Sequence, residues 1–189
     1  MLTSPATPIR FNRLLLTGAN GNLGRELRPR LKTYCETLRL SHRSDIGEPG
    51  AGEEIVIADL ADADAMLGLL RDVDAVVHMG GVSTEQPWAP ILAGNIVGAY
   101  NLYEAARRNG VKRIVFASSN HVTGFYRQDE VVSPKDPVRP DGLYGLSKAF
   151  GENLAQLYWD RHGIETVSLR IGSSYAAPKD RRMLATWMS

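Results

Sequence analysis

The stretch from Leu14 to Leu27, LLLTGANGNLGREL, sets an unbroken apolar run immediately before Gly18, Gly21 and Gly24 and a helix-forming segment immediately after them. An apolar run without polar alternation suits a strand covered on both faces. Strand, glycine loop and helix in that order make a place where backbone N–H groups and a helix N-terminus can hold a pyrophosphate. Gly18 is assigned the tight turn, Gly21 the close approach of backbone to phosphate, and Gly24 the close packing of helix on sheet. Asn20, Asn22 and Leu23 lie in the same loop and are placed with the glycines against the cofactor. Glycine triplets are common in loops; the strand before this one and the helix after it give it meaning.

Working outward, five more short runs rich in β-branched residues follow: TLRLS, EIVIADL, DAVVHMG, RIVFASS and ETVSLRIG, separated by amphipathic segments. That alternation predicts an α/β fold, a Rossmann-like doubly wound parallel sheet with helices on both faces. The helix ILAGNIVGAYNLYEAARRNG is expected to stop at Gly110, and the one carrying YGLSK at Gly163. Pro29 falls inside the first expected helix and should shorten or bend it. The segment RQDEVVSPKDPVRPDG reads as a surface excursion that delivers the chain to a helix start near Pro140. Residues 1–10 read as a flexible tail, and residues 11–189 as one NAD(P)-binding domain.

Composition narrows the function. With 22 basic and 21 acidic residues among 189, the formal charge of +1 gives no footprint for nucleic acid. Cys35 is the only cysteine, so an internal disulfide is excluded and a reducing, cytoplasmic setting is the expectation. No apolar run approaches membrane-spanning length, so no membrane partner is expected.

Tyr144 and Lys148 stand four apart in YGLSK, which places them on one helix face, one above the other. After the second strand, LRLSHRSD puts His42 where an acid would receive the adenosine ribose, with Arg43 next and Asp45 three residues on. A cation there suits the ribose phosphate of NADP, whereas Asp45 could still serve NAD, and the residues leave both open. Ordinary exposed loop residues would look the same. Asp59 and Leu60, ending the third run, are assigned to the adenine, and Gly80, after VVHM, to the cofactor cleft.

TGANGNLG, VVHMGG, FASSNHV and YGLSK, in this order, resemble the extended short-chain dehydrogenase/reductase superfamily, the NAD-dependent epimerases and dehydratases. FASSNHVTGFY, RPDGLYGLSKAFGENLA, and RIGSS followed by RRMLATWMS are more narrowly similar to the uronate dehydrogenase family, from about Phe11 onward. The resemblance implies oxidation of a hexuronic acid, galacturonate or glucuronate, at C1 to an aldaric acid lactone, with NAD as cofactor and NADP as the variant that His42 leaves open. It implies catalytic roles for Ser119, Tyr144 and Lys148. It places Ser83, Asn120, His121, Ser173 and Arg182 near the sugar, with Ser119 and Tyr144. Members commonly carry an acid where His42 stands and continue beyond Ser189, so the substrate-side part reads as truncated. The implied partners are a small sugar acid and, as an open alternative, a second copy of the chain.

The chemistry fits those residues. A phenolate can take the hydroxyl proton while hydride leaves carbon, provided the ordinary phenol pKa near 10 is lowered, a task assigned to Lys148 and to the positive nicotinamide. Lys148 can also hold the nicotinamide ribose. Ser119, just past a strand, would bond the reacting oxygen. Ser118, pointing the other way, is left to packing or a backbone bond. Asn95, inside an apolar helix, is assigned to organising cofactor, backbone or water near Lys148. His78 reads as a satisfied core histidine, and Trp88, Trp159 and Trp187 as packing residues. Two other readings share the fold. A nucleotide-sugar epimerase or dehydratase would show no net cofactor reduction, and a cofactor-sensing protein would have no need of Ser119, Tyr144 and Lys148 together.

Overall fold

A computed structural model describes residues 10–174 and Ala177. Of the tail expected at residues 1–10 only Arg10 is described, and Arg182 and Trp187 lie outside the described residues. Among the described residues six strands form one sheet: β1 Phe11–Thr17, β2 Cys35–His42, β3 Glu53–Ile57, β4 Ala75–His78, β5 Arg113–Ser119 and β6 Glu165–Ile171. Their order is β3-β2-β1-β4-β5-β6 and every pairing is parallel. The strand order reverses between β1 and β4, and this switch opens a crevice at the carboxyl ends of the strands, where the loops after β1, β4 and β5 meet.

β1 is central because both of its faces are apolar. Leu15 belongs to the core under the helices α2 (Ala63–Leu69), α4 (Gly98–Asn109) and α5 (Leu143–His162). Leu14 and Leu16 belong to the opposite core, which Leu27 and Leu31 of α1 (Asn22–Leu31) cover. Each fully buried leucine contributes about 1.5–3 kcal/mol. The edge strands β3 and β6 are only partly covered, and Ile57 and Val167 are exposed.

Several details differ from the sequence reading. α1 contains Pro29 and ends two residues later, passing into a 3-10 turn at Lys32–Tyr34, so the proline shortens the helix as expected. The helix expected from Ile91 begins earlier, as α3 (Trp88–Ile91), and passes through a π turn at Leu92–Val97 into α4. α5 starts at Leu143, three residues past Pro140. Gly110 and Gly163 end their helices in the left-handed conformation (φ 74° and 65°), as the sequence suggested. Trp88 and Trp159 are 48% and 51% exposed, so neither is a core packing residue.

Two ionic clusters pin the sheet away from the crevice. Arg28 of α1 grips Glu53 with two bonds of 3.1 and 2.6 Å, and this hydrogen-bonded pair holds the Glu53 carboxyl at about 2. Arg39, buried on β2, binds Glu54 at 2.6 Å and donates to the carbonyls of Leu69 and Arg71, closing the end of α2.

His78, the last residue of β4, is buried. Thr17 Oγ1 lies 2.8 Å from its Nδ1, and its ring stacks on Phe116 at 5.7 Å. Because Gly80 N–H donates to Thr17 Oγ1, the hydroxyl proton is available to Nδ1, and the imidazole is satisfied as a neutral core group. Burial, with Lys148 as a lesser cause, lowers His78 to about 3. Stability from its neutral form is present above the unfolded value of about 6.5 and is lost as pH falls toward 3. Thermal unfolding across pH should show a loss of about 1 kcal/mol between pH 6.5 and 5.5, before the carboxylates titrate. That early slope should vanish in His78→Gln.

Candidate active site

The loop after β1 is shaped by missing side chains. Gly18 has φ +67°, and a Cβ there would lie 2.6 Å from the carbonyl of Met79. A Cβ on Gly24 would run into the Gly18 carbonyl and lie 2.8 Å from Ala19 Cα, so α1 packs directly on the turn. Gly21 donates its N–H to the Gly18 carbonyl at 2.9 Å and stands at the N-cap of α1, which has no side-chain cap and no acid in its first turn. Asn20 accepts from Arg25 at 3.1 and 2.9 Å, so its side chain braces the loop. Asn22 and Leu23 open the helix. A backbone cradle with an uncapped helix N-terminus beside it fits a dinucleotide pyrophosphate.

Around this cradle stand the other residues assigned to the cofactor. Gly80 is buried, and a Cβ on it would press on Leu60 and Thr17, each 3.1 Å away. Asp59 is exposed and accepts from Ala61 N–H at 2.9 Å. His42 ends β2; its Nδ1 accepts from Ser44 N–H at 3.2 Å, which leaves the ring proton on Nε2 in the neutral form. The position therefore offers a donor where an acid would offer an acceptor. Asp45 accepts from Gly47 N–H within its own turn.

Ser119, Tyr144 and Lys148 meet at the carboxyl end of β5, all at most 9% exposed. Ser119 Oγ accepts from His121 N–H at 3.2 Å and donates to Asn120 Oδ1 at 3.3 Å. Lys148 Nζ lies 5.6 Å from the Tyr144 ring centroid and 5.3 Å from that of Phe116. Burial lowers Lys148 to about 8. The expectation that Lys148 holds the phenol low is not met in this structure: burial raises Tyr144 above its ordinary value, and the Ser119 hydroxyl pulls back against it. The ammonium faces the ring rather than bonding the phenol oxygen, and desolvation of the phenolate wins.

The polar surroundings are more engaged than the sequence suggested. Asn95 sits in the π turn with Oδ1 accepting from Val82 N–H at 2.7 Å and Nδ2 donating to Val82 O and Ser147 Oγ at 3.1 and 2.9 Å. Gly81 (φ +117°) makes room, since its Cβ would lie 2.6 Å from Asn95 Oδ1. Asn95 thus holds backbone and helix together. His121 Nδ1 lies 2.9 Å from both oxygens of Asp141, and its ring meets that of Tyr144 in a T-shaped contact at 5.7 Å. Asn120 accepts from Ser119, Ser83 is exposed on the loop after β4, and Ser173 is half-buried just past β6. Ser118 donates to Glu152, which binds Arg170.

Two residues here had no signal in the sequence. Asp141 orients His121, and Glu85, 58 and 59 residues away in sequence, accepts from the N–H groups of Leu143 and Tyr144 at 3.0 and 2.9 Å. This carboxylate takes the first two N–H groups of α5. Only a contact across the chain sets either residue in place, so no local pattern could have found them. Among the described residues no group of three or more His, Cys, Asp or Glu could hold a metal, and no helix is long and apolar enough to cross a membrane.

A sheet in this order, a glycine cradle at its switch point and a serine, tyrosine and lysine gathered beside it define a dinucleotide-binding protein of the short-chain dehydrogenase/reductase type. The chain belongs to the NAD dependent epimerase/dehydratase family, whose model matches residues 14–189. It is 57% identical to a uronate dehydrogenase of Pseudomonas putida over the whole of this chain and 69% of that protein. A glucuronic acid dehydrogenase from Chromohalobacter salexigens superposes with a TM-score of 0.91 at 55% identity, over 94% of this chain and 66% of that one. A mutant uronate dehydrogenase from Agrobacterium tumefaciens, complexed with NAD, superposes with a TM-score of 0.91 at 54% identity, over 94% of this chain and 67% of that one. The chain spans about two thirds of the length of these relatives.

The buried ammonium has a measurable cost in stability. A fall in the Lys148 pKa from 10.5 to about 8 corresponds to roughly 3 kcal/mol lost from the fold when the group is charged. Because the folded value lies below the unfolded one, the fold regains that stability as pH rises from about 8 to 10.5. Lys148→Met should therefore raise the melting temperature at pH 7 by several degrees and should flatten the stability rise above pH 8.

Proposed function

We propose that this protein oxidises a hexuronic acid at C1 to an aldaric acid lactone, with NAD as the hydride acceptor. The observation that carries this reading is the gathering of Ser119, Tyr144 and Lys148 at the switch-point crevice of a chain that is 54–57% identical to three curated uronate dehydrogenases. NAD, when bound, accepts the hydride from C1. Gly18, Gly21 and Gly24, with the start of α1, would hold its pyrophosphate. Asp59 and Leu60 would line the adenine side, and Lys148 would reach the nicotinamide ribose.

Within the chain, Ser119 Oγ bonds the C1 oxygen and Tyr144, as phenolate, takes its proton. Burial raises the phenol in the free protein, so the base would be formed in the assembled complex, where Lys148 and the positive charge that a bound nicotinamide would supply favour the phenolate. Ser83, Asn120, His121 and Ser173 would face the sugar, on the family likeness. Arg182, outside the described residues, enters on likeness alone as a bidentate partner for the sugar carboxylate. Two copies of the chain and a cytoplasmic setting are compatible with this reading and are not required by it.

The testing experiment offers NAD or NADP with galacturonate, glucuronate, neutral sugars and nucleotide sugars, and follows the absorbance of the reduced nicotinamide. Uronates should give net reduction. Isomerised nucleotide sugar without net reduction would assign the epimerase reading instead. Tyr144→Phe should cut turnover by about 10²- to 10⁴-fold and leave cofactor affinity within a few fold, because only the proton acceptor is lost.

His42→Asp replaces a donor with an acceptor and adds a charge that repels a ribose phosphate. The ratio of kcat/KM with NAD to that with NADP should rise by about ten-fold or more. An unchanged ratio would show that residue 42 does not face the ribose.

A further inference from the structure

We infer that Glu85 is a positioning residue that couples the loop carrying Ser83 to the backbone of Tyr144, so that the sugar-side loop and the base move as one body. This rests on the reading of Ser83 and Tyr144 given under Proposed function. The loop after β4 is anchored on both sides of Ser83. On one side, the N–H and C=O of Val82 are both held by the Asn95 amide, which donates to Ser147 Oγ. Ser147 Oγ in turn donates to the Tyr144 carbonyl at 2.7 Å. On the other side, the Glu85 carboxylate accepts from Leu143 and Tyr144 N–H. Both polar groups of the Tyr144 peptide therefore lead back to the same short loop.

The contact is built into the chain. α5 has no side-chain cap of its own and no acid in its first turn. Its N-cap residue is Gly142, whose φ of −170° any residue could adopt. The reason for a glycine is spatial: a Cβ there would run into the Glu85 carboxylate. An ordinary helix would take Ser or Asp at that position and cap itself. Here the cap arrives from the sugar-side loop, at the cost of a long-range dependence.

The same geometry separates coupling from mere helix capping. Glu85→Ala frees the space beside Gly142, so the double variant Glu85→Ala/Gly142→Asp supplies a local cap without restoring the tie to the loop. Four measurements apply to the wild-type protein, Glu85→Ala, Glu85→Gln and the double variant: melting temperature, NAD affinity, kcat and KM for uronate, and amide exchange at Leu143 and Tyr144. Glu85→Ala should lower kcat/KM for uronate by about 10- to 100-fold with NAD affinity within about two-fold, and should speed exchange at both amides. Glu85→Gln, which keeps one acceptor oxygen, should fall between. The double variant should recover melting temperature and amide protection but not kcat/KM.

Recovery of kcat/KM in the double variant would reduce Glu85 to a helix cap and overturn the proposal, as would wild-type kcat/KM in Glu85→Ala. Exchange and melting need no sugar. If wild-type protein reduced no NAD with any uronate, the dehydrogenase reading would fail, and the coupling with it, while the cap itself would still be read from exchange.

Discussion

The site depends on one ammonium held in a place that disfavours it. Lys148 is buried between the rings of Phe116 and Tyr144, and its pKa falls to about 8. Desolvation of that charge costs the fold more than a surface lysine would, and what it leaves available is a cation within reach of a phenol that burial holds protonated. Two groups are thus each displaced from their ordinary pKa by the same dry surroundings. Charge formed on either one is stabilised by the other once both face a substrate. Neighbouring His78 is kept neutral by that dryness, so it does not add a competing charge.

Around this pair the fold supplies rigidity where the chemistry needs it. The turn after β1 has no side chain at Gly18 or Gly24, so strand, turn and helix are in direct backbone contact. Gly81 admits Asn95, Gly142 admits Glu85, and Gly151 admits the Phe116 ring against which Lys148 rests. Each of these glycines marks a place where a polar or aromatic group must approach a backbone closely. The ionic clusters of Arg28 with Glu53 and of Arg39 with Glu54 brace α1 and the end of α2 to the sheet.

Much of this was legible in the chain because it is local. The apolar runs marked all six strands, and the glycine spacing marked the cradle. Gly110 and Gly163 marked helix ends, and the interval from Tyr144 to Lys148 marked a shared face. What was not legible depends on contacts between distant segments. Glu85 caps the start of α5 from a loop 58 residues earlier in the chain. Asn95 spends its amide on Val82 and Ser147 within a π turn that no periodicity announces. Asp141 fixes His121 from the end of a proline-rich excursion. The phenol pKa also ran against expectation, because spacing fixes a shared face but says nothing of burial, and burial decided the sign.

The claim at the centre of this account is that Tyr144 is a buried phenol made into a base by the charges assembled beside it. The most direct test is a pH titration of protein carrying 13C at the tyrosine ring carbon bonded to oxygen, followed by NMR with and without NAD, with the Tyr144 resonance identified by its loss in Tyr144→Phe. The account predicts a phenol above its ordinary value in the free protein that falls clearly when NAD binds, and that falls less in Lys148→Met. A phenol already low in the free protein, or one that NAD leaves unmoved, would contradict it.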